Sequence, residues 1–263
     1  RKANAPTRVF PFPRWDGGAG QSVFLWCEQG LGDAIQFVRF ARRVRERAAA
    51  VVVECPPPLV ELFSTCPGVD RVVPEGARPP DCQAHCPLMS VPTALGLTRD
   101  DVLTDHGPYL SAEPRRVAFW RQWLGRRPGR KVGIAWQGNP RHKHDRFRSL
   151  PVRTVVELAA EPGSTLVSLQ RGHGAEQLRG WRGRPEVVTL PDDPPDGWTF
   201  ADTAAVVAGL DEVVAVDTSV AHLAGALGVP VRVWLGRVTD WRWGTAGERT
   251  GWYPSMTLVR SEV

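Results

Sequence analysis

Short apolar runs alternate with glycine- or proline-rich breaks in the first half of the chain. Residues 22–27 and 50–54 are continuous apolar runs of strand length. Between them lies a helical pattern in which Asp33 has the N-cap position and Arg39 is among the arginines assigned to the outer face. The apolar positions of this helix share one face: Ala34, Phe37, Val38 and Ala41. The order strand, glycine loop, helix, strand predicts a parallel βαβ unit with a right-handed crossover.

A second series of the same kind follows a breaker-rich joint at residues 125–130, which comes after a helix predicted from residue 114 to 123. Its strands are predicted at 131–136, 165–169, 186–190, 212–216 and 231–235, and its helices at 152–160, at 176–181 and after residue 219. Two consecutive α/β series imply an α/β protein with two Rossmann-like domains, whose parallel sheets face a cleft. We place these domains at residues 1–113 and 114–263, with residues 1–20 as a lead-in segment.

Composition excludes several classes of protein. The 263 residues are 42% hydrophobic and 23% charged, which is typical of a globular chain. No apolar run is long enough to span a membrane and no signal peptide is visible, so we expect a cytoplasmic protein. The net charge of +5 comes with 28 acidic residues interleaved among the basic ones. This pattern argues against nucleic-acid binding and favours a local site for an anionic ligand.

The five cysteines are better explained as thiols than as a disulfide framework, because their number is odd. Cys82, His85 and Cys86 are close enough in sequence to suggest a metal site, but no second ligand pair follows at zinc-finger spacing. His142 and His144 likewise have no matching ligand pair nearby. We therefore expect no bound metal.

Two loops follow predicted strands at the sheet edge where open parallel sheets bind ligands. The loop Glu28-Gln29-Gly30-Leu31-Gly32-Asp33 has glycines that permit close backbone approach, and carboxylates at both ends. It lacks the third glycine of a dinucleotide fingerprint, and the chain has no P-loop, which argues against a dehydrogenase or a P-loop NTPase. Asp33 could act chemically or could only cap its helix.

The second loop, Asp217-Thr218-Ser219-Val220-Ala221-His222, places hydroxyls and backbone N–H groups at a helix start, which suits an anion. Its alternative is an N-cap beside a partly buried histidine. A third cluster at residues 137–149 includes Lys143 and Arg146 and is rich in cationic groups. It is typical of a phosphate clamp, although a solvated loop has the same composition.

These motifs resemble those of bacterial glycosyltransferases that follow tetratricopeptide (TPR) repeats, and are similar to the heptosyltransferase group, glycosyltransferase family nine. The resemblance begins with residues 28–39 and runs in order along almost the whole chain. Its other segments are 86–92, 136–140, 145–150, 168–170, 202–205, 216–228 and 240–243.

The resemblance implies a GT-B fold, with an acceptor-side domain first and a nucleotide-sugar domain second, and with no cofactor or metal. It implies that Asp33, with Glu28 beside it, is the general base that deprotonates the acceptor hydroxyl. It also implies a set of donor-binding residues, in which Lys143 and Arg146 offset the charge of the leaving nucleotide. That set is Asp217, Thr218, Ser219, His222, Lys143, Arg146, Asn139 and Gln170.

Three features depart from the family. Residues 234–238 stand where relatives carry an apolar, proline-containing run, the chain ends soon after Tyr253 without a terminal helix, and no TPR repeats are visible. We therefore expect a fragment whose repeats lie upstream. Most of the late tryptophans, such as Trp241, are expected to pack internally, although one could stack on a sugar or base.

The sequence thus predicts an enzyme that moves a sugar from a nucleotide-sugar donor to a hydroxyl of a protein, glycan or lipid. The alternatives are a catalytically inactive sugar-nucleotide or acceptor-recognition module of a larger TPR protein, and another GT-B enzyme such as an epimerase.

Overall fold

The computed structural model describes residues 8–103, 107–191 and 197–260, and the chain divides into two compact units. The first contains residues 8–103 and 109–111, and the second contains residues 107, 108 and 112–260. Each unit is built on its own parallel sheet with helices between the strands. The predicted α/β class with two parallel sheets is confirmed.

The first sheet has four strands in the order β3-β2-β1-β4, and all of its pairings are parallel. Its strands are β1 (Ser22–Trp26), β2 (Ala50–Cys55), β3 (Arg71–Pro74) and β4 (Ala84–Pro87). β1 and β2 lie at its centre and are mostly buried, which explains why both are continuous apolar runs.

Five short helices accompany this sheet: α1 (Leu31–Phe37), α2 (Ala41–Arg45), α3 (Val60–Phe63), α4 (Val91–Ala94) and α5 (Arg99–Leu103). The predicted N-cap at Asp33 is wrong, because α1 begins at Leu31 and Gly30 is its N-cap. Asp33 is instead the third helical residue, and its carboxylate accepts a hydrogen bond from the Gly30 N–H at 3.1 Å. It stabilises the helix start from inside the first turn.

Arg39 does not lie on an outer face, as the helical pattern predicted, but is 3% exposed. Arg39 is the middle residue of a 3₁₀ turn, Val38–Phe40, that follows α1. There its guanidinium lies 4.5 Å from the ring centre of Tyr109, and it donates to the Tyr109 hydroxyl at 3.1 Å. A cation–π contact and a hydrogen bond together make burial of this charge tolerable.

The segment assigned as a lead-in is part of the first unit's core over its described residues. Trp15 is 2% exposed. The rings of Phe10 and Phe12 pack against Phe24 on β1, with centroids 5.6 and 6.2 Å apart. These aromatic side chains cover one face of the small sheet.

The second sheet has six strands in the order β10-β9-β8-β5-β6-β7, again with parallel pairings throughout. Its strands are β5 (Lys131–Ala135), β6 (Thr165–Ser168), β7 (Val187–Thr189), β8 (Glu212–Val216), β9 (Val231–Leu235) and β10 (Met256–Arg260). Counted within the unit, this is the Rossmann order 3-2-1-4-5-6. The strands predicted for this half are confirmed, and β10 was not predicted.

The helices of the second unit are α6 (Pro114–Gly125), α7 (Asp145–Arg148), α8 (Val152–Ala159), α9 (Phe200–Val207) and α10 (Ser219–Ala226). The helix predicted at 176–181 is only a 3₁₀ turn, Ala175–Leu178. Helix α9 was not predicted, although it has a capping box: Thr199 is its N-cap, and the Asp202 carboxylate accepts from the Thr199 N–H at 2.9 Å. Across the described residues, no helix is both long and apolar enough to cross a membrane.

The close contact between α10 and the segment before β10 depends on Gly225. A Cβ atom there would lie 2.6 Å from the Tyr253 ring, so we expect Gly225→Ala to lower the free energy of unfolding by about 1–3 kcal/mol through overpacking. Gly125→Ala is the matched control, since nothing lies within 4 Å of a Cβ atom at this helical glycine. That variant should be neutral or more stable by up to about 1 kcal/mol. Chemical denaturation measures both, and equal effects would contradict the packing argument.

Candidate functional site

The strand order reverses at one place in each sheet, between β1 and β4 in the first and between β5 and β8 in the second. Loops that leave neighbouring strands at such a place diverge to opposite faces and open a crevice at the carboxyl ends of the strands. The predicted loops after β1, β5 and β8 all begin there. The two crevices are therefore the candidate sites.

In the first unit, Glu28 joins the two loops that border the crevice. It follows β1, and its Oε1 accepts a hydrogen bond at 3.2 Å from the N–H of Met89, which lies in the 3₁₀ turn after β4. Its other carboxyl oxygen, Oε2, is buried and has no hydrogen-bond partner among the described residues. A buried acceptor without a donor favours a protonated carboxyl.

Burial raises the pKa of Glu28 to about 7, against an ordinary value of 4.5. The N–H groups of Met89 and Leu88 lower this pKa in part, and the nearby Asp33 charge raises it further. A carboxyl with a pKa close to neutrality can take up or release a proton under working conditions, which suits acid–base chemistry. Glu28 and Asp33 thus form the pair of carboxyl groups that the loop predicted.

In the second unit, the loop after β5 borders an open cavity of about 680 Å³. Lys143 and Arg146 both line it, together with Arg141 and His142, whereas Arg148 and the turn after β8 do not. Asn139 does not line the cavity, and its side-chain oxygen accepts from the Arg141 N–H at 3.0 Å, which shapes the loop instead. The cavity suits an anionic ligand.

Asp145 is the buried centre of this loop and was not among the predicted site residues. Its carboxylate accepts from Gln137 Nε2 at 2.7 Å, from Ser149 Oγ at 3.0 Å and from Arg148 Nε at 3.2 Å. Gly138 is needed for this approach, because a Cβ atom there would lie 2.6 Å from both Asp145 and Arg148. Asp145 thereby holds the two ends of the cationic loop together.

Arg148 connects this loop to the turn after β8, because its Nη1 donates to the Asp217 carbonyl at 3.2 Å. Thr218 follows as the N-cap of α10, and Ser219 is the first helical residue. The Thr218 side chain caps no backbone N–H, and its Oγ1 is buried without a hydrogen-bond partner among the described residues. An anion can accept hydrogen bonds from the Thr218 hydroxyl and from the backbone N–H groups at the start of α10, which the Thr218 side chain does not cap.

Gln170 has a structural task at the ends of β5 and β6. Its Oε1 accepts from the N–H groups of Trp136 and Gln137, each at 3.1 Å. Its Nε2 donates to the carbonyls of Gln137 and His173. The amide therefore positions the loop that follows β5, and its direct contact with a donor stays a prediction.

His222 lies one turn into α10 and is 1% exposed. Its Nδ1 is 2.9 Å from the Tyr253 hydroxyl, and its Nε2 is 3.2 Å from Nη1 of Arg242. Asp217 is also close, with Oδ1 3.9 Å from Nε2. This environment agrees with the alternative stated above, an N-cap beside a buried histidine. A contact between His222 and a phosphate stays a prediction.

The cysteines are poorly suited to this chemistry, although Cys27 directly precedes Glu28. None of them forms a disulfide, and burial raises the pKa of Cys55, Cys66 and Cys86 to about 12. Thiols with such pKa values are poor nucleophiles and poor metal ligands at neutral pH. Within residues 8–103, 107–191 and 197–260, no three His, Cys, Asp or Glu side chains are grouped so as to hold a metal ion.

Solved structures similar to this chain are glycosyltransferases. The glycosyl transferase family 9 protein of Veillonella parvula matches with a TM-score of 0.66 and 11% identity, over 93% of this chain and 87% of that one. The ADP-heptose LPS heptosyltransferase II of E. coli matches with a TM-score of 0.60 and 12% identity, over 90% of each chain. The chain therefore has the GT-B fold.

Among curated proteins, FlbA of Caulobacter vibrioides is 26% identical over an alignment of 289 residues, gaps included. The alignment covers 99% of this chain and 47% of that protein. The chain thus spans about half the length of this curated relative. No family model matches. The resemblance to heptosyltransferases is confirmed for the fold, and the association with TPR repeats stays a prediction.

The raised pKa of Glu28 has a consequence for stability. Between pH 4.5 and about 7 the folded chain keeps a proton on Glu28 that the unfolded chain has released, so the free energy of unfolding falls as pH rises through this window. Glu28→Gln removes this contribution, and the variant should lose less stability than the wild type across the window. Denaturant titrations at both pH values measure the difference.

Glu157→Gln is the control for this prediction, because Glu157 is an exposed residue of α8. It should retain the pH dependence of the wild type. If Glu28→Gln retained that dependence too, the assigned protonation of Glu28 would be wrong.

Proposed function

We propose that this chain is a glycosyltransferase that transfers a sugar from a nucleotide-sugar donor to a hydroxyl acceptor. The observation that carries the proposal is the placement of complementary chemistry at the two strand-order reversals. Carboxyl groups lie at the reversal in the first unit, and cationic groups with a helix start lie at that in the second. In this proposal residues 1–113 form the acceptor side and residues 114–263 the donor side.

The donor's diphosphate would bind at the start of α10, with Thr218 and Ser219 offering hydroxyls and the helix dipole favouring the negative charge. Lys143 and Arg146 would offset the charge that develops on the leaving nucleotide. This assignment is supported by the buried Thr218 Oγ1, which has no partner in the part of the chain that the structure describes. Asp145 and Arg148 would hold the two donor-side loops in register.

Asp33 would be the general base. It removes the proton of the acceptor hydroxyl as the hydroxyl oxygen attacks the anomeric carbon, while the bond between that carbon and the phosphate oxygen breaks. The nucleoside diphosphate leaves with the electron pair of the broken bond. The Gly30 N–H bond orients the Asp33 carboxylate, and a Glu28 carboxyl that is partly protonated near neutral pH limits repulsion between the two acids.

Similarity to an ADP-heptose heptosyltransferase makes ADP-heptose-like donors the first to test, beside other nucleotide sugars. The proposed acceptor is a hydroxyl of a protein, glycan or lipid. The reaction as proposed uses no cofactor or metal and takes place in the cytoplasm, and TPR repeats would form part of a longer protein. A recognition module without activity would bind the same donors but would not turn them over.

Asp33→Asn tests the base. We expect turnover of the donor to fall about 10²–10⁴-fold while the affinity for the nucleoside diphosphate stays within about twofold, because the change removes only proton transfer. Release of nucleoside diphosphate measures turnover. Thermal shift measures binding, and about 2.7 kcal/mol of stabilisation is expected for a ligand at 100 times its Kd.

Asp202→Asn is a matched control, because Asp202 is the third residue of α9 as Asp33 is the third residue of α1. In each helix the carboxylate accepts a hydrogen bond from the N–H of the N-cap residue, Thr199 or Gly30. It should leave turnover unchanged. Full activity in Asp33→Asn would show that Asp33 is only a cap. Donor binding without turnover in the wild type would favour the recognition module.

A further inference from the structure

The imidazole of His222 is enclosed on several sides by groups of the second unit. The Trp243 ring stacks on it with centroids 5.3 Å apart, and the Tyr253 hydroxyl lies 2.9 Å from Nδ1. Nδ1 is thus already occupied, and only Nε2 is left to face a ligand. What the ring can offer depends on whether Nε2 carries a proton.

Arg242 determines that protonation. Its Nη1 lies 3.2 Å from His222 Nε2, and a guanidinium can only donate hydrogen bonds and stays charged. Nε2 must therefore accept, which leaves the ring proton on Nδ1, where it is donated to the Tyr253 hydroxyl. In this arrangement His222 is neutral and presents no N–H from Nε2 to an anion.

Arg242 itself places a buried positive charge at the start of α10, since its side chain is only 8% exposed. Two acids lie near it. Asp240 Oδ1 is 3.0 Å from its Nε but is 39% exposed, so water screens this pair. Burial raises the pKa of Asp217, although the charges of Arg242 and Arg148 oppose this effect.

The Thr218 hydroxyl supplies a second, independent sign of a ligand. Thr218 is 8% exposed, its Oγ1 has no hydrogen-bond partner among the described residues, and it is the N-cap of the eight-residue helix α10. The adjacent Asp217 lies 3.9 Å from the imidazole that Arg242 contacts. The Thr218 hydroxyl begins α10, and Arg242 contacts His222 in the first turn of the same helix, so both groups lie around that helix start.

We propose that Arg242 is the residue that binds the donor's diphosphate, and that His222 is a positioning residue that holds Arg242 through Nε2. The inference rests on the proposed function and changes its residue assignment, because the family resemblance implied that His222 holds the donor phosphate together with Thr218 and Ser219. The planar fork of a guanidinium matches two phosphate oxygens, which an imidazole cannot do.

Calorimetric titration of the full chain tests this inference, with ADP, UDP, GDP and CDP and their nucleosides as probes. For the diphosphate that binds best, Arg242→Gln should weaken binding roughly ten- to a hundredfold, the range for lost hydrogen bonds to a charged group. Binding of the matching nucleoside should stay unchanged, because it lacks the phosphates. Arg242→Lys keeps the charge without the fork, so its affinity for the diphosphate should lie between those of the wild type and Arg242→Gln.

Arg237→Gln is the matched control, since Arg237 is an exposed residue five positions earlier. It removes the same charge and should bind as the wild type does. If Arg242→Gln fails to fold, the comparison of Arg242→Lys with the wild type decides. Unchanged diphosphate affinity, or an equal loss for diphosphate and nucleoside, would overturn the inference and leave the proposed function standing. A wild-type chain that binds none of the diphosphates would overturn both.

Nitrogen-15 NMR of the histidine rings gives a readout that needs no donor. The His222 signals, identified by their loss in His222→Gln, should show a protonated Nδ1 and an unprotonated Nε2. A proton on Nε2 would contradict the assigned contact with Arg242 whatever the chain binds.

Discussion

Reversal of the strand order beside the first strand of each sheet is the constraint from which the candidate chemistry follows. Helices that leave β1 and β4, or β5 and β8, diverge to opposite faces, and the ends of these strands stay accessible. Backbone polar groups at the loops and helix starts there need partners. Glu28 meets part of this need in the first unit, while the buried Thr218 hydroxyl in the second has no hydrogen-bond partner among the described residues.

Buried charge is arranged differently in the two crevices. In the first unit, burial works against ionisation of Glu28, so its carboxyl can exchange a proton near neutral pH. In the second, Arg148 is neutralised by Asp145, whereas Arg242 is held by a neutral imidazole and by a partly exposed acid. One crevice is therefore suited to proton transfer, and the other to the stabilisation of an anion.

The parallel sheets and the loops at their reversals could be predicted because they depend on local patterns. Runs such as 212–216 are apolar and bounded by turn residues, and the strand formed there has the same bounds. Contacts between residues far apart in sequence could not be predicted. Arg39 is buried because Tyr109 covers it, and His222 is enclosed by residues that come 20 and 31 positions later. The start of α1 was missed because glycine is a weak cap signal.

Tyr253 links the outermost strand of the second sheet to the interior of the candidate site. It precedes β10, which is paired with β9 at the edge of the sheet, while its hydroxyl contacts His222. The side of β10 away from β9 is partly covered by the chain itself, because the Leu258 N–H donates to the Glu248 carbonyl at 2.8 Å. Any displacement of β10 would pass through two residues, Pro254 and Ser255, to Tyr253, and from there to the imidazole. The edge of this sheet is therefore mechanically coupled to the α10 turn, although its backbone lies outside the crevice.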